Sequence, residues 1–266
     1  MRIYVCVKQV PDTSGTVAVN PDGTLNRASM QTIINPDDLA AMEQALLLKD
    51  ATGCQVTAVT MGPAPAEGML RELLAMGADD AILISAREFG GSDTFATSQI
   101  ISAAINYTGL NDEDMIFSGR QAIDGDTAQV GPQISEHLHL PLISYAEELS
   151  VDENEKTVTV KRQYDDGYHI VKAKLPCLVT CLAELNEPRY MTPGGVFDAF
   201  QKEVTVWGRA DLKDVEDSNL GKAGSPTVIA KASDKVAKGK GVKVTPDSAE
   251  EAADYIVNVL SEKHVI

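Results

Sequence analysis

The chain has 266 residues, enough for one large α/β domain or for a domain with an appended segment. Its 23 basic and 39 acidic residues give a formal net charge of −16 at pH 7, which disfavours nucleic acid and anionic membranes as partners. No apolar run in the sequence approaches the length of a bilayer span, and the first residues read as a strand rather than a signal peptide. We therefore expect a cytoplasmic protein.

Strand and helix patterns alternate through the first half of the chain. This order predicts a parallel sheet with helices on both faces, in which ligands bind beyond the carboxyl ends of the strands. Strands are predicted at residues 3–7, 55–61, 81–84 and 115–118, and a separate hairpin at 17–27. Helices are predicted to begin at Asn35-Pro36, to cover residues 69–76, to run from Asp93 to about Tyr107 and to lead towards His137.

Helix starts are marked by capping residues. Asn35 suits the N-cap of the first helix, Pro36 suits its first position, and two aspartates follow in its first turn. Ser92 or Asp93 suits the N-cap of the helix that ends near Tyr107.

The loop after the fourth strand, residues 117–132, has the most informative sequence, FSGRQAIDGDTAQVGP. Gly119, Gly125 and Gly131 lie in it, and a helix follows. A strand that ends in such a loop before a helix N-terminus favours phosphate, because unpaired N–H groups and the helix dipole attract negative charge. The spacing matches neither GxGxxG nor GxxxxGK[ST]. The alternative is a polar loop before a capped helix.

The pattern changes after residue 141. A hairpin of strands at 157–161 and 168–174 is followed by an apolar run at 175–182, and periodicity then weakens. Residues 230–241 read as a linker, and Ser248 with Glu251 forms a capping box before a terminal helix. The chain therefore divides into an α/β nucleotide-binding domain at 1–185 and a C-terminal arm with its helix at 186–266.

The sequence offers no catalytic residue and no metal site. Its four histidines are not spaced as ligands, and its four cysteines are scattered and best read as reduced, buried thiols. Asp124 and Asp126 could act as an acid–base pair but beside a glycine loop more often serve as caps. A nucleotide-binding chain without such groups indicates that the bound cofactor supplies the chemistry.

Several motifs together resemble the beta (small) subunit of electron-transfer flavoproteins. The resemblance runs from the first residue to Arg189 and more loosely to the C-terminus. It implies an adenine-nucleotide-hydrolase-like, Rossmann-type fold and an arm that wraps around an alpha subunit in a heterodimer. The motifs are CVKQVPD at 6–12, NPDD at 35–38, MGP at 61–63, MGAD at 76–79, the glycine loop and EPRY at 187–190.

The resemblance implies nucleotide contacts at the strand ends and along the glycine loop. Within the loop, Thr127, Ala128 and Gln129 are expected to contact a diphosphate. The implied set is Cys6, Val7, Lys8, Asn35, Asp38, Met61, Gly62, Gly119, Arg120, Gln121, Asp124, Gly125, Asp126, Thr127, Ala128, Gln129, Val130 and Gly131.

The family has two branches, and one holds structural AMP where the electron-bifurcating branch holds a second FAD. The segment FGGSDTFATS at 89–98 resembles the bifurcating branch, and the whole chain is similar to small subunits that serve caffeyl-CoA-type reductases of anaerobes. That likeness implies FAD that takes hydride from NADH and sends electrons to the alpha-subunit FAD and an acyl-CoA reductase, and to ferredoxin. The flavin and nicotinamide contacts would be Phe89, Gly90, Gly91, Asp93, Thr94 and Thr97.

Partner docking is implied for the motif formed by Glu187, Pro188, Arg189 and Tyr190. The residues that follow, 191–198, lack the basic side chains that the family uses for docking on a dehydrogenase, so a permanent complex with different contacts is an alternative. Two other functions stay open on the sequence. They are a non-bifurcating small subunit with AMP, and a nucleotide-binding sensor of the universal-stress type, which the hairpin and the EPRY motif weaken.

Overall fold

A computed structural model of the chain describes residues 1–12, 31–230 and 239–266. The hairpin predicted at 17–27 and most of the linker predicted at 230–241 lie outside the described residues. The strands are β1 Arg2–Cys6, β2 Gln9–Pro11, β3 Thr32–Ile34, β4 Gln55–Met61, β5 Asp80–Ile84, β6 Met115–Gly119, β7 Leu142–Asp152, β8 Thr157–Tyr164, β9 Gly167–Lys174, β10 Cys177–Cys181 and β11 Val204–Trp207. The helices are α1 Pro36–Thr52, α2 Glu67–Met76, α3 Thr94–Tyr107, α4 Val130–His137, α5 Pro193–Gln201 and α6 Ala249–Glu262.

One sheet of nine strands organises the fold, in the order β11-β5-β4-β1-β6-β10-β7-β8-β9. The strands from β11 to β7 run parallel, and β8 and β9 extend the sheet as an antiparallel hairpin. The chain moves from β1 to β4 on one side and later returns to β6 on the other. This reversal places a crevice beyond the carboxyl ends of β1 and β6, where ligands bind in sheets of this kind. The predicted parallel sheet and the hairpin predicted from strands at 157–161 and 168–174 are confirmed.

Alternate residues of the central strand enter two different cores. Ile3 and Val5 belong to the core on the side of α1 and α2, whereas Tyr4 and Cys6 belong to the core on the side of α3. A strand covered on both faces needs apolar residues at every position, which is why β1 reads as a continuous apolar run. All four cysteines are buried and unpaired. No helix in the described ranges is long and apolar enough to cross a membrane.

The beginning of the predicted arm belongs to the α/β body. Helix α5 packs on α2, where the Arg71 Nη1 donates to the carbonyls of Ala199 and Lys202, both at 2.6 Å. Strand β11 then pairs with β5 and becomes the edge of the main sheet. Leu212, Val215 and Leu220 continue into the core on the side of α3. Residues 239–266 do not join the core in this way, because α6 has an apolar face but none of its residues is buried.

Limited proteolysis separates these two parts of the C-terminal segment. In the isolated chain, cleavage is expected within residues 239–266, while 193–207 resist because α5 packs on α2 and β11 pairs with β5. Co-expression with a larger flavoprotein subunit is expected to protect 239–266, as read by mass spectrometry of the fragments. An isolated monomer whose residues 239–266 resist the protease would contradict the view that this part orders on a partner.

Candidate functional site

The crevice beyond β1 and β6 is closed on one side by the first turn of α1. Asn35 precedes that turn and is fully buried. The sequence predicted that its side chain caps α1, but the side chain makes no capping hydrogen bond there. Instead its Nδ2 donates to the carbonyl of Gln121 at 2.8 Å, and the N–H of Ile123 donates to its Oδ1 at 3.1 Å. Asn35 therefore fixes the start of the loop at residues 120–129.

Asp38 joins the ends of the two central strands. The N–H of Lys8, just after β1, donates to its Oδ2 at 2.9 Å, and the N–H of Gly119, at the end of β6, donates to its Oδ1 at 2.7 Å. Burial raises the pKa of this carboxyl to about 7, although these hydrogen bonds act in the opposite direction.

Two ion pairs line the rim of the crevice. The Lys8 Nζ lies 2.7 Å and 2.8 Å from the carboxylate oxygens of Asp124, so it links the end of β1 to the loop. The Arg120 Nε lies 3.3 Å from the Oδ2 of Asp37. The Oδ1 of Asp37 accepts a hydrogen bond from the N–H of Ala183 at 3.1 Å. Burial raises the pKa of Asp37 above its usual value. Sequence reasoning placed Asp37 in the first turn of α1 and missed this pairing, since nothing local to NPDD signals Arg120.

The loop at 120–129 has the backbone of an anion site. Asp126 and Ala128 are not glycines, yet their φ angles are +49° and +52°. Gln129 follows with φ −106° and ψ −33°, so a left-handed residue is followed by a right-handed one just before α4. Successive N–H groups in such an arrangement point to one side and bind anions. In the described part of the chain, the N–H groups of Thr127, Ala128 and Gln129 donate no hydrogen bond.

This donor set fits a phosphate or diphosphate. The unpaired N–H groups of 127–129 lie at the N-terminus of α4, and Lys8 and Arg120 supply positive charge from the rim. The Thr94 Oγ1 donates to the Gln129 Oε1 at 2.9 Å, which holds the N-terminus of α3 beside that of α4. Charged groups, backbone donors and two helix starts therefore meet at one edge of the sheet.

Two of the three loop glycines are required by packing inside the protein. A Cβ at Gly131 would lie 2.6 Å from the Ser118 Oγ and 2.9 Å from the Thr180 Cγ2. A Cβ on Gly119 would meet the side chains of Asp37 and Asp38. Gly125 has open space around it. The family resemblance implied that these glycines contact a nucleotide; at positions 119 and 131 the space beside the Cα is already filled by the chain itself.

The remaining predicted contacts lie on either side of the crevice. Cys6 and Val7 are buried, and the N–H of Val7 donates to the carbonyl of Val59 at 2.8 Å. Met61 ends β4, and Gly62 follows it, where its N–H donates to the carbonyl of Ile84 at 3.1 Å.

Comparison with known proteins identifies the family. A family model described as the electron transfer flavoprotein domain matches residues 22–212. The chain belongs to the electron-transfer flavoprotein family. It is 60% identical to the acryloyl-CoA reductase electron transfer subunit gamma of Anaerotignum propionicum, 49% identical to the electron transfer flavoprotein subunit beta of Clostridium acetobutylicum, and 46% identical to subunit CarD of the caffeyl-CoA reductase-Etf complex of Acetobacterium woodii.

Each of these alignments covers 100% of both chains. The agreement over the full length confirms a beta-type (small) subunit of the electron-transfer flavoprotein family, as the motifs predicted. It leaves the sensor of the universal-stress type without support.

In this flavoprotein subunit, the segment at 89–98 holds a later part of the chain. Phe89 is buried in the core, and Gly91 has φ +78° and packs against Lys222. Asp93 caps α3 by accepting from the N–H of Ala96 at 3.1 Å, and its other oxygen accepts from the N–H and Oγ1 of Thr227 at 2.9 Å and 2.7 Å. Asp93, rather than Ser92, is the N-cap. The contacts to 222–227 had no signal in the sequence, because they join segments 134 residues apart.

The EPRY motif begins an exposed apolar surface. Arg189 is anchored by Glu43, which accepts from the Arg189 N–H at 3.0 Å and from its guanidinium at 3.0–3.1 Å. Tyr190 is 94% exposed, and Phe197 and Phe200 of α5 are 74% and 73% exposed. An arginine anchored on α1 therefore precedes an exposed tyrosine, and two further exposed aromatic side chains follow on α5.

The packing at Gly131 predicts a local loss of stability. Gly131→Val is expected to lower the free energy of unfolding by about 1–3 kcal/mol, because the new side chain meets Ser118 and Thr180 where α4 crosses β6. Gly125→Val, in the same loop with open space, is expected to change it by less than about 0.5 kcal/mol. Chemical denaturation of both variants decides the matter, and equal unfolding free energies would contradict the packing argument.

The ion pair between Lys8 and Asp124 competes with any anion in the crevice. Asp124→Asn is expected to tighten AMP binding by up to about fivefold, the worth of an exposed ion pair, and Lys8→Gln is expected to weaken it. Titration calorimetry at low and physiological salt measures both. Lys172→Gln breaks the comparable ion pair to Glu155 on the distant hairpin and serves as the control. Weaker AMP binding by Asp124→Asn would mean that Asp124 contributes to the site in another way.

Proposed function

We propose that this flavoprotein subunit binds FAD at the carboxyl ends of β1, β4 and β6 and works with an alpha subunit and an acyl-CoA reductase. The observation that carries the proposal is the row of unpaired N–H groups at Thr127, Ala128 and Gln129, placed at the start of α4 beside Lys8 and Arg120. Such a site binds the diphosphate of a dinucleotide through backbone donors and the helix dipole.

The chain's own residues bind and orient the cofactor. The N–H groups of 127–129 would hold the diphosphate, while Asn35 keeps the loop in place through Gln121 and Ile123. Residues 89–97 would line the flavin ring and the nicotinamide. Bound FAD would supply the redox chemistry, taking hydride from NADH and passing electrons to the alpha-subunit FAD and to ferredoxin.

The choice of redox partner is supported by the relatives. The names of two full-length relatives, at 60% and 46% identity, place them with acryloyl-CoA reductase and caffeyl-CoA reductase. We propose a similar acyl-CoA reductase for this chain, in a cytoplasmic complex. Residues 187–190 would dock on a partner, because Tyr190, Phe197 and Phe200 present an apolar surface that an interface would cover.

A second candidate keeps the fold and the site but replaces FAD by AMP. It is favoured by the contacts of Asp93, whose two carboxylate oxygens already accept from Ala96 and Thr227. Those contacts leave Asp93 less available to a flavin or a nicotinamide than the sequence suggested. In this case the chain would be a nucleotide-stabilised subunit of a non-bifurcating electron-transfer flavoprotein.

Quantification of the nucleotides released from the heterodimer separates the two candidates. The FAD proposal predicts two FAD per heterodimer and reduction of a flavin by NADH in anaerobic titration. One FAD with one AMP, or no reduction by NADH, would overturn it in favour of the second candidate.

A variant of the segment at 89–98 tests the placement of the nicotinamide. Gly90→Leu is expected to suppress flavin reduction by NADH while the alpha-subunit flavin stays bound, because Gly90 has an ordinary backbone conformation, with φ −63° and ψ 135°, and a side chain there crowds the proposed pocket. Gly68→Leu, at an exposed position on α2 with open space, is the control for the added bulk. Unchanged rates of flavin reduction in Gly90→Leu would contradict the placement of the nicotinamide beside this loop.

A further inference from the structure

The ends of β1 and β6 are joined by a buried side chain in the crevice. We infer that Asp38 is a positioning residue whose carboxylate, rather than the bound nucleotide, takes the backbone N–H groups of Lys8 and Gly119 and thereby fixes the two strand ends that form the site. The inference rests on the proposed function, since it concerns the same nucleotide site. It changes the role that the family resemblance implied for these residues, which was direct contact with the ligand.

The geometry assigns one carboxylate oxygen to each strand. The Oδ2 accepts from the N–H of Lys8 at 2.9 Å and the Oδ1 from the N–H of Gly119 at 2.7 Å. These two donors belong to neighbouring parallel strands on either side of the reversal in strand order. In a crevice of this kind, unpaired strand-end N–H groups would face the ligand; here the chain supplies its own acceptor.

The space around Gly119 supports the same assignment. A Cβ at this position would overlap the Asp38 Oδ1 and lie 2.6 Å from the Asp37 Cβ. The side chains of α1 thus occupy the volume that the glycine leaves free. Asp38 itself is only 6% exposed. The first turn of α1 therefore lies between a ligand in the crevice and the two strand ends.

A second buried carboxylate holds the same two strands at their other ends. Asp114, just before β6, accepts from the N–H of Arg2 at the start of β1 at 2.8 Å, and its other oxygen accepts from the Arg2 Nη2 at 2.7 Å. Asp114 is 1% exposed. The two aspartates therefore do similar structural work, but only Asp38 lies at the edge that carries the candidate site.

Ionisation of the Asp38 carboxyl is unfavourable at this buried position. Burial raises its pKa to about 7, and the titratable groups around it give no relief: Asp37 on α1 repels it, and the Cys6 and Cys181 thiols on β1 and β10 are themselves buried with raised pKa values. Because the folded-state pKa lies above the ordinary value of 3.8, this group favours the folded state at low pH, and that stability is lost as pH rises through about 7. Protonation of one oxygen removes one of the two N–H acceptors.

Binding of AMP and of FAD to the heterodimer tests the inference, with Asp38→Asn compared with Asp114→Asn. Asp38→Asn is expected to weaken nucleotide binding about tenfold, and Asp114→Asn less than about twofold, even where both lower the melting temperature. The wild type and Asp114→Asn are expected to bind FAD, whose diphosphate stays ionised in this range, more weakly as pH falls through about 7, while Asp38→Asn loses that dependence. Equal affinities of the two variants, or a pH profile that Asp38→Asn leaves unchanged, would overturn the inference.

Hydrogen exchange of the wild type decides the matter if Asp38→Asn does not fold. The amides of Lys8 and Gly119 are expected to be protected before nucleotide is added and to gain little on binding, because Asp38 already accepts from them. Amides that exchange rapidly in the nucleotide-free protein and become protected only with AMP or FAD would show that the ligand is their acceptor and would overturn the inference. A wild-type heterodimer that binds neither nucleotide would instead refute the proposed function, and the inference with it.

Discussion

The functional edge of this protein depends on how the first turn of α1 is anchored between β1 and β6. Parallel strands end with N–H and carbonyl groups that have no neighbour in the ladder, and at a reversal of strand order no helix covers them directly. Here Asn35, just before α1, and Asp38, in its first turn, contact the ends of both strands and the loop that follows β6. The position of the loop at 120–129 is thus set by side chains that contact the backbone.

The strongly acidic composition gives this edge its electrostatic character. With a net charge of −16, the cationic side chains at the crevice have carboxylate partners, Lys8 with Asp124 and Arg120 with Asp37. An anionic ligand must compete with these partners for the cations. The N–H groups at 127–129 have no acceptor among residues 1–12, 31–230 and 239–266, so their attraction for an anion does not require displacing a carboxylate in that part of the chain.

The sequence predicted those features that are determined locally. The strands β1, β4, β5 and β6 follow from apolar runs, and α1 and α3 begin where Pro36 and Asp93 indicated. Features determined by distant residues could not be predicted. The bonds of Asn35 reach a loop 86 residues away, and Gly131 is restricted by Ser118 and Thr180 on two strands. Strand β11 has only four residues, and its place in the sheet depends on the exposed edge of β5.

The segment at 89–98 connects the candidate site to the C-terminal part of the chain. Asp93 starts α3, whose first residue, Thr94, contacts Gln129 beside the unpaired N–H groups. The same aspartate holds Thr227, which precedes the exposed residues 239–266. One carboxylate therefore hydrogen-bonds both the start of a helix and a segment 134 residues away in the sequence. Through these hydrogen bonds and the one between Thr94 and Gln129, a continuous chain of contacts joins Thr227 to the loop at 120–129.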